Sequence, residues 1–454
     1  MIKRTIKQLT SMITVEKVVS AFEQVEFQGV CIDTRKLEKG NMFIPFKGEK
    51  LDGHTLVEKA IEQGAACALW EEDVPNPPMH LPIIIVKNSA AALQQLAKSY
   101  RNELDVKVVG ITGSNGKTTT KDMTYAVLSK SYNVIKTEGN FNNELGLPLT
   151  ILRMDESTEI AILEMGMSSF GEIEFLSNLA QPEVAVITNI GESHMQYLGS
   201  REGIAKAKLE ILSGLHKDGL FVFNGEEPLL TTNVKDVQLN KQSYGLSSDN
   251  DMYITNMEQQ GTNTSFSINQ SNLKFVIPVL GAHNVKNALA ALLVGKFFNV
   301  SFEEMKEQLA NLELTKMRAE MIPGPNGSML INDAYNASPT SMKAAIDLIS
   351  SLNNYEQKIV VLADVLELGE LEVEYHQEIG KYVNPEQIDY VFTFGNLGAE
   401  IAKGALHKFS TEKVKAYDEK ELLAKELKPL LDGKTVVLLK GSRGMRLEEV
   451  LQKL

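Results

Sequence analysis

The sequence predicts a mixed α/β fold divided into three domains. The chain has 454 residues, which is too long for one compact core. Apolar, strand-like runs alternate with helix-like segments along most of its length, a pattern typical of parallel sheets covered by helices. The hydrophobic fraction of 43% and the charged fraction of 23% are those of an ordinary globular protein.

The first predicted domain spans residues 1–102 and is a small α/β unit. Residues 42–48 (MFIPFKG) read as a strand, and residues 55–70 read as a helix that runs into a strand. Residues 81–86 (LPIIIV) are predicted as a buried strand. Residues 92–104 are predicted as a helix that leads out of this domain.

The second predicted domain spans residues 103–315. Its apolar runs, predicted as buried strands, are residues 106–113, 159–166 and 183–191. Residues 281–298 are rich in alanine and predicted as an amphipathic helix. Residues 225–275 are more polar and β-like, and their pattern assigns them no definite place. Together these features predict a mostly parallel central sheet.

The third predicted domain spans residues 316–454. Its predicted strands are residues 328–336, 358–365, 390–395 and 435–441, separated by helical segments. This alternation predicts a Rossmann-like sheet. Loops at the carboxyl ends of such strands commonly bind ligands.

Composition and charge exclude several classes of function. The 46 basic and 59 acidic residues give a net charge of −13, which argues against general binding to nucleic acids or anionic membranes. Cys31 and Cys67 stand far apart and in no metal-ligand spacing, which favours a reducing compartment. The sequence shows neither a secretory signal nor an apolar run long enough to span a bilayer. We therefore expect a cytoplasmic protein with no membrane or nucleic-acid partner. We also expect a monomer, although composition does not determine the oligomeric state.

The most informative stretch is residues 110–120, GITGSNGKTTT. It follows a predicted buried strand and precedes a helical run, which is the context that a phosphate-binding loop requires. Lys117 is placed to reach the β- and γ-phosphates of a nucleotide, and the Thr118 hydroxyl is placed to ligate Mg²⁺. Ile111 stands where the general pattern has its first glycine, so the motif is a variant. The alternative is a glycine-rich turn with an exposed lysine.

A carboxylate and a histidine follow two neighbouring strands of the same predicted domain. Glu164 ends the run EIAILEMG, and His194 follows the next strand in TNIGESHMQYLG. Because the carboxyl ends of parallel strands meet at one edge of a sheet, both side chains are candidates for a metal site beside the phosphate loop. The alternatives are an ordinary strand-end acid and a hydrogen-bonded loop histidine.

Lys208 occupies an unusual place in a helical pattern. At helical spacing it shares one face with Ile204, Ile211, Leu212 and Leu215. A lysine on an apolar stripe is most often a snorkelling side chain. The alternative is an amine whose pKa burial lowers, so that it reacts with CO₂ to form a carbamate and adds an anionic metal ligand.

Further motifs stand in order along the chain. They are residues 32–65, TGSNGKTT (112–119), EGNFNNELGLPLT (138–150), HNVKNALAA (283–291), MRAE (317–320), DAYNASPTSM (333–342) and LLKGSRGMRLEE (438–449). Together these motifs resemble the Mur ligase family over nearly the whole chain. Segment 138–150 in particular resembles members that add D-alanyl-D-alanine. The Asp-Asn-Pro-Arg motif usual in members that add the third residue is absent.

The resemblance implies an ATP-dependent ligase of peptidoglycan synthesis that adds D-alanyl-D-alanine to UDP-N-acetylmuramoyl-tripeptide through an acyl phosphate. It implies a central ATP-binding domain, an N-terminal UDP-sugar-binding domain and a C-terminal ligase domain, with ATP and Mg²⁺ required. It leaves open whether the third peptide residue is L-lysine or meso-diaminopimelate. The rival hypotheses are a superfamily ligase for another amino acid or a polyglutamate tail, and a non-catalytic nucleotide-binding regulator.

The resemblance also implies roles for individual residues. Those assigned to ATP are Thr112, Gly113, Ser114, Asn115, Gly116, Lys117, Thr118, Thr119, Asn284, Asn287, Arg318, Asp333, Tyr335 and Asn336. Those assigned to the UDP portion are Thr34, Arg35, Lys47, Asp52 and His54, for which ordinary turn chemistry is the alternative. Those assigned to the muramoyl-peptide path are Asn140, Asn142 and Asn143. Those assigned to Mg²⁺ are Thr118, Glu164, His194 and Lys208 as its carbamate. Those assigned a catalytic role are Lys117, Glu164, His194 and Lys208.

Overall fold

The computed structural model describes residues 1–49 and 51–454, so that Lys50, within the motif of residues 32–65, lies outside the described residues. Within them, sheets of five, nine and six strands follow one another along the chain, beside a two-stranded pair. The predicted mixed α/β class is confirmed. None of the described helices combines the length and the apolar character needed to cross a bilayer.

The first sheet lies between residues 17 and 86. The elements of this part of the chain are β1 (Lys3–Thr5), α1 (Ile6–Met12), β2 (Lys17–Val18), β3 (Glu26–Gln28), β4 (Val30–Cys31), β5 (Met42–Phe43), α2 (Val57–Glu62), β6 (Cys67–Glu71), β7 (Ile83–Val86) and α3 (Ser89–Glu103). The strand order is β2-β7-β6-β5-β4, with β2 antiparallel to β7. The strand predicted over residues 42–48 ends at Phe43, and Pro45 just beyond it has no N–H for a ladder hydrogen bond.

The second sheet contains the phosphate-loop motif near its centre. The elements here are β8 (Lys107–Thr112), α4 (Lys117–Leu128), β9 (Val134–Lys136), α5 (Gly146–Leu152), β10 (Ile160–Glu164), α6 (Glu172–Ala180), β11 (Val184–Ile187), α7 (Met195–Leu198), α8 (Arg201–Leu209), β12 (Leu220–Asn224), α9 (Pro228–Val234), β13 (Asn240–Gly245), β14 (Met252–Gln260), β15 (Asn263–Ile268), β16 (Ser271–Ile277), α10 (Ala282–Phe297) and α11 (Phe302–Ala310). The order is β16-β15-β14-β13-β12-β11-β8-β10-β9. In this order, the neighbouring strands from β9 through β10, β8, β11, β12 and β13 to β14 are parallel. Strands β14 to β16 form an antiparallel ribbon.

The antiparallel ribbon accounts for the polar, β-like pattern of residues 225–275. Along β15, Thr264, Phe266 and Ile268 are buried while their neighbours are more exposed. This alternation is the period of a strand with one covered face. The segment is not entirely β, since helix α9 lies within it.

The prediction that residues 281–298 form an amphipathic helix is wrong in one respect. Helix α10 is present, but Asn287 to Gly295 are buried on every side of it. The helix packs against α4 and α11 and also against strands β12 and β13, so it is covered from both directions. A helix buried in this way has no polar face to present.

The third sheet is built from β17 (Glu320–Pro323), β18 (Met329–Asp333), β19 (Gln357–Ala363), β20 (Tyr390–Phe394), β21 (Val414–Tyr417) and β22 (Thr435–Lys440). The helices that cover it are α12 (Pro339–Ser350), α13 (Glu372–Tyr382), α14 (Gly398–Ala405) and α15 (Lys420–Leu427). The strand order is β17-β18-β22-β19-β20-β21, parallel except for β17. The predicted strands of this region are confirmed to within a few residues.

The hydrophobic cores connect these sheets unequally. One continuous core runs from the N-terminal segment into the second sheet, joining Ile2 and Leu96 to Leu147 and Ile173. The cores on the two faces of the third sheet consist of residues from that sheet, its covering helices and their connecting loops, apart from Leu280. The third unit is therefore attached to the rest chiefly through its linker and through polar contacts at the site described below.

Candidate active site

The phosphate loop connects β8 to α4, and two of its glycines are required by their surroundings. Gly113 has φ +150° and Gly116 has φ +81°, both in the region that favours glycine. A Cβ on Gly113 would lie 1.8 Å from Thr188 Oγ1, and one on Gly116 would lie 2.7 Å from Asn287 Oδ1. Ile111, which departs from the general motif, is fully buried in β8 and precedes the loop.

Lys117 is the first residue of α4 and folds back over the loop. Its Nζ donates a hydrogen bond to the Gly113 carbonyl at 2.6 Å. Burial lowers the pKa of this amine, an effect that the Glu164 carboxylate opposes. The side chain is half-buried and lines a cavity, so the alternative of a turn with an exposed lysine does not describe it.

The Thr118 hydroxyl joins two parts of the chain at the edge of the loop. It donates to Glu164 Oε2 at 3.0 Å and accepts from Arg318 Nη2 at 3.0 Å. Glu164 ends β10, which pairs directly with β8, and its Oε1 accepts from Asn142 Nδ2 at 2.9 Å. Lys121 Nζ lies 3.9 Å from this buried carboxylate, and Lys117 and Arg318 line the same cavity, an arrangement suited to phosphate oxygens and a metal ion.

His194 and Lys208 complete this first cavity, of about 420 Å³, which Thr118 and Glu164 also line. His194 precedes α7 with a left-handed backbone, and its Nδ1 lies 2.6 Å from Glu367 Oε2. Lys208 is 2% exposed near the end of α8. Burial, together with nearby Lys117, lowers the pKa of its amine well below the ordinary value.

The donor set of this cavity fits Mg²⁺ better than a transition metal. The described residues contain no group of three or more His, Cys, Asp or Glu that could hold a metal ion by themselves. Mg²⁺ is usually bound through one or two oxygen ligands of the protein, with water and substrate phosphates supplying the rest. Thr118 and Glu164 offer such oxygens beside the loop, and Lys208 would join them only as an anionic derivative.

A second cavity of about 510 Å³ lies between the central and third units. The predicted ATP residues that line it are Asn115, Gly116, Thr119, Asn284, Asn287, Arg318, Asp333 and Asn336. Asp333 ends β18, and its carboxylate accepts from Lys440 Nζ at 2.6 Å and from the Ala319 N–H at 3.1 Å. The two cavities meet at the phosphate loop, so one elongated ligand can occupy both.

Arg318 belongs to the linker that enters the third unit. Its guanidinium lies 4.1 Å from the centre of the Tyr335 ring, a cation–π arrangement. Met317 and Ala319 on either side have φ of 63° and 51°, an uncommon conformation that aims the side chain at Thr118. Its Nε is buried and has no hydrogen-bond partner among the described residues. An anionic ligand oxygen would satisfy this donor.

Further polar contacts join the third unit to the loop. Asn115 Nδ2 donates to Ser338 Oγ at 3.0 Å. Glu192 accepts from the Thr340 hydroxyl at 2.8 Å and from the Thr340 N–H at 3.1 Å, at the beginning of α12. These contacts hold the third unit over the phosphate loop.

The structure does not bring the predicted UDP residues into either cavity. Thr34, Arg35, Lys47, Asp52 and His54 lie in the first unit. Arg35 pairs with Asp33, and the His54 Nδ1 lies 2.6 Å from the Asp52 carboxylate. Lys47 pairs with Glu71 at 3.0 Å and is 43% exposed. Lys47, Asp52 and His54 form a separate, partly exposed cluster around Glu71.

The asparagines of segment 138–150 differ in position. Asn142 and Asn143 line the first cavity, and Asn143 Oδ1 also accepts from the Gly146 N–H at 2.9 Å, at the beginning of α5. Asn140 is exposed and lines neither cavity.

Sequence reasoning missed several residues of the site. They are Glu192, His283, Ser338, Glu367 and Lys440. His283 faces the second cavity, and burial lowers its pKa to about 4. Its place directly before Asn284 in HNVKN was a usable signal. Glu192 and Glu367 meet partners more than a hundred residues away in the chain, and such pairing leaves no local signal.

Comparison with protein families matches each of the three parts of the chain. Residues 26–101 match the Mur ligase family catalytic domain, and residues 111–295 match the Mur ligase middle domain. Residues 317–443 match the Mur ligase glutamate ligase domain. These matches occur in order and cover most of the sequence.

Whole proteins give the same result. A UDP-N-acetylmuramoyl-tripeptide–D-alanyl-D-alanine ligase of Bacillus subtilis (strain 168) is 52% identical over 100% of this chain and 99% of its own. A crystal structure of MurF from Acinetobacter baumannii is similar with a TM-score of 0.89 at 28% identity, covering 100% of this chain and 99% of that one. MurF ligase from Thermotoga maritima in complex with ADP is similar with a TM-score of 0.83 at 29% identity, covering 94% and 96%. The chain therefore belongs to the Mur ligase family.

Proposed function

We propose that this enzyme uses ATP to join D-alanyl-D-alanine to UDP-N-acetylmuramoyl-tripeptide, forming the pentapeptide precursor of peptidoglycan, ADP and phosphate. The Bacillus subtilis relative carries the name of this activity and matches the whole chain. The observation that carries the proposal is the meeting of Lys117, Glu164 and Arg318 around the Thr118 hydroxyl. Such a cluster holds a triphosphate and neutralises its charge.

The reaction has two steps. A carboxylate oxygen of the tripeptide attacks the γ-phosphorus, the bond to the bridging oxygen breaks, and ADP leaves. The amine of D-alanyl-D-alanine then attacks the acyl carbon, phosphate leaves with the electron pair of the broken C–O bond, and the nitrogen loses a proton. Lys117 and Arg318 stabilise the charge on the transferring phosphoryl group. When bound, Mg²⁺ would add charge neutralisation, held by Thr118 and Glu164 with His194 nearby.

The same proposal divides the work among three domains. We assign residues 1–102 to the UDP portion, residues 103–315 to ATP and residues 316–454 to closure over the site. The separate polar cluster that contains Lys47 and His54 supports the first assignment. Asn142, within hydrogen-bond distance of Glu164, supports a path for the muramoyl peptide along the first cavity. Exclusion of water by the third domain protects the acyl phosphate.

We also propose that Lys208 is carbamylated. Its neutral amine attacks CO₂, a C–N bond forms, and one proton is released to give an anionic carbamate. Burial of the amine, which favours the neutral form, supports this step. The carbamate would add an oxygen ligand beside Glu164. NMR with ¹³C-labelled bicarbonate should show a carbamate carbon in the protein and none in Lys208→Met, and equal signals in both would contradict the proposal.

We further propose that the enzyme works in the cytoplasm as a monomer. The reaction consumes ATP, which is a cytoplasmic substrate. Cys31 and Cys67 are free thiols, as a reducing compartment favours. The fold of a single chain brings together the residues that line the two cavities, which supports the monomer.

The deciding experiment measures phosphate release with ATP, Mg²⁺, UDP-muramoyl-tripeptide and D-alanyl-D-alanine, omitting one component at a time. We expect phosphate release that needs all four components. The product should be heavier than the tripeptide substrate by the mass of D-alanyl-D-alanine less one water. Turnover only with another amine would instead favour a different ligase of the superfamily. Nucleotide binding without any turnover would favour a regulator. Comparing tripeptides that end in L-lysine and in meso-diaminopimelate determines the third residue.

A further inference from the structure

Asp122 lies one turn beyond Thr118 on α4 and is 1% exposed. Its Oδ2 accepts from both the N–H and the hydroxyl of Thr315, at 2.9 and 2.7 Å. Its Oδ1 accepts from Lys136 Nζ at 2.7 Å. The carboxylate is therefore satisfied by a neighbouring strand and by the first residues of the linker to the third domain.

Helix α4 holds this linker at two points. Thr118 and Asp122 are four residues apart, so they lie on one face of the helix and about 6 Å apart along its axis. Thr118 accepts from Arg318, and Asp122 accepts from Thr315. The linker thus runs along the same helix that begins with the phosphate-binding lysine.

Carboxylates bind every second N–H of the linker. Asp122 accepts from Thr315, Glu320 from Met317 at 2.9 Å, and Asp333 from Ala319 at 3.1 Å. Glu320 and Asp333 belong to the third domain itself, so those two contacts join the linker to that domain. The Thr315–Asp122 contact is the one of the three that ties the linker to the central domain. It therefore sets the point from which Arg318 extends.

We propose that Thr315, bound by Asp122, is a positioning residue that places Arg318 over the phosphate loop. The inference rests on the proposed function only in that Arg318 contacts nucleotide phosphates. The Nη2 contact with Thr118 and the Tyr335 ring beside the guanidinium, together with the left-handed residues on either side, indicate that the position of the Arg318 guanidinium is closely determined. Loosening the linker at Thr315 lets Arg318 withdraw from Thr118.

A double-mutant cycle separates positioning from a merely structural role. The variants are Thr315→Val, Arg318→Ala and their combination, with Thr315→Ser to restore the hydroxyl. The readouts are kcat, KM for ATP, thermal stability and the Kd for β,γ-methylene ATP. The binding measurement needs no turnover, so it remains available if Arg318→Ala is inactive. Thr435→Val is the matched control, because it removes a buried threonine hydroxyl that donates to the Asp432 carboxylate at 2.8 Å, at the opposite end of β22 from Lys440.

Thr315→Val should raise the Kd for the analogue about fivefold in the natural background and less than about twofold in Arg318→Ala, since one hydrogen bond to a charged group is lost. Thr315→Ser should stay within about twofold of the natural enzyme, as should Thr435→Val. Equal losses in both backgrounds, or no loss at all, would overturn the proposal. Asp122→Asn provides a second variant and should show the same dependence on Arg318.

Assaying the natural enzyme for ligation of D-alanyl-D-alanine in parallel keeps this result separate from the proposed function. If the natural enzyme bound the analogue but failed to join D-alanyl-D-alanine, the function would fall. The binding cycle would still support or overturn the role of Thr315.

Discussion

The Nδ1 atom of His194 lies 2.6 Å from the carboxylate of Glu367, and both residues have φ of 64°. His194 belongs to the central domain and Glu367 to the third, so two strained loops meet at this contact. A carboxylate at Nδ1 holds the histidine ring in one orientation and leaves Nε2 directed elsewhere. The third domain therefore supplies the carboxylate that faces a predicted metal-site residue of the central domain.

Replacing Glu367 by Gln should lower kcat about tenfold and change KM for ATP little, because the histidine ring loses its charged partner while the phosphate loop is untouched. Steady-state kinetics at saturating amine checks this. Glu370→Gln, an exposed residue of the same loop, is the control and should behave like the natural enzyme. Full activity in Glu367→Gln would show that the contact has no catalytic consequence.

Replacing Lys117 by Met should reduce kcat/KM for ATP about a thousandfold, since a preorganised cation is lost from the transferring phosphoryl group. Lys130→Met is the matched control, because Lys130 follows the same helix and makes an exposed ion pair with Glu307 at 2.7 Å. Exposed pairs contribute little, so the control should stay within about twofold. A small effect of Lys117→Met would contradict the phosphate-loop assignment.

Replacing Lys208 by Met should raise thermal stability while it abolishes activity. The folded-state pKa of Lys208 lies well below the ordinary value of 10.5, so the unfolded chain binds more protons below that pH. Stability of the natural protein is then lost as pH falls from 10.5 towards the folded-state pKa. In CO₂-free buffer the variant should gain about 2 °C or more in Tm near pH 7 and much less near pH 10. An equal Tm difference at both values would contradict this account.

Replacing Glu192 by Ala should raise KM for ATP about fivefold, because the third domain loses its anchor at the beginning of α12. The global Tm should change little, since the contact joins domains and does not build a core. Glu356→Gln, which removes an exposed ion pair with Lys434, serves as the control. If ATP kinetics were unchanged, other contacts would suffice to hold the domain closed.

Much of the fold could be predicted because its strands are short apolar runs bounded by turn residues. The runs that contain β8, β10 and β11 are buried on both faces of a parallel sheet. Such strands are continuously apolar, so they can be recognised without an alternation of apolar and polar residues. The covering of α10 could not be predicted in the same way. Its surroundings come from β12, β13 and α11, and their packing is a property of the assembled sheet.

The candidate site divides along a similar line. Lys117 and Thr118 stand out because they belong to a strand, loop and helix that are contiguous in the sequence, and Glu164 stands out because it ends an apolar strand. Arg318 was accessible only through resemblance to a family. Asp122 was missed altogether, since its partner Thr315 is 193 residues away and an acidic residue on a helix is ordinarily solvated.

The core shared by the first and central domains has a consequence for the order in which the chain folds as it is synthesised. Ile2 donates its N–H to the carbonyl of Leu152 at 2.9 Å, and its side chain belongs to the same core as Leu147 and Ile173. The N-terminal segment therefore completes its packing only after the residues of this core, up to Ile173 at least, have emerged from the ribosome. The third domain, with cores of its own, can fold afterwards as a separate unit. A nascent chain arrested before α6 should accordingly remain open to proteases at its N-terminus.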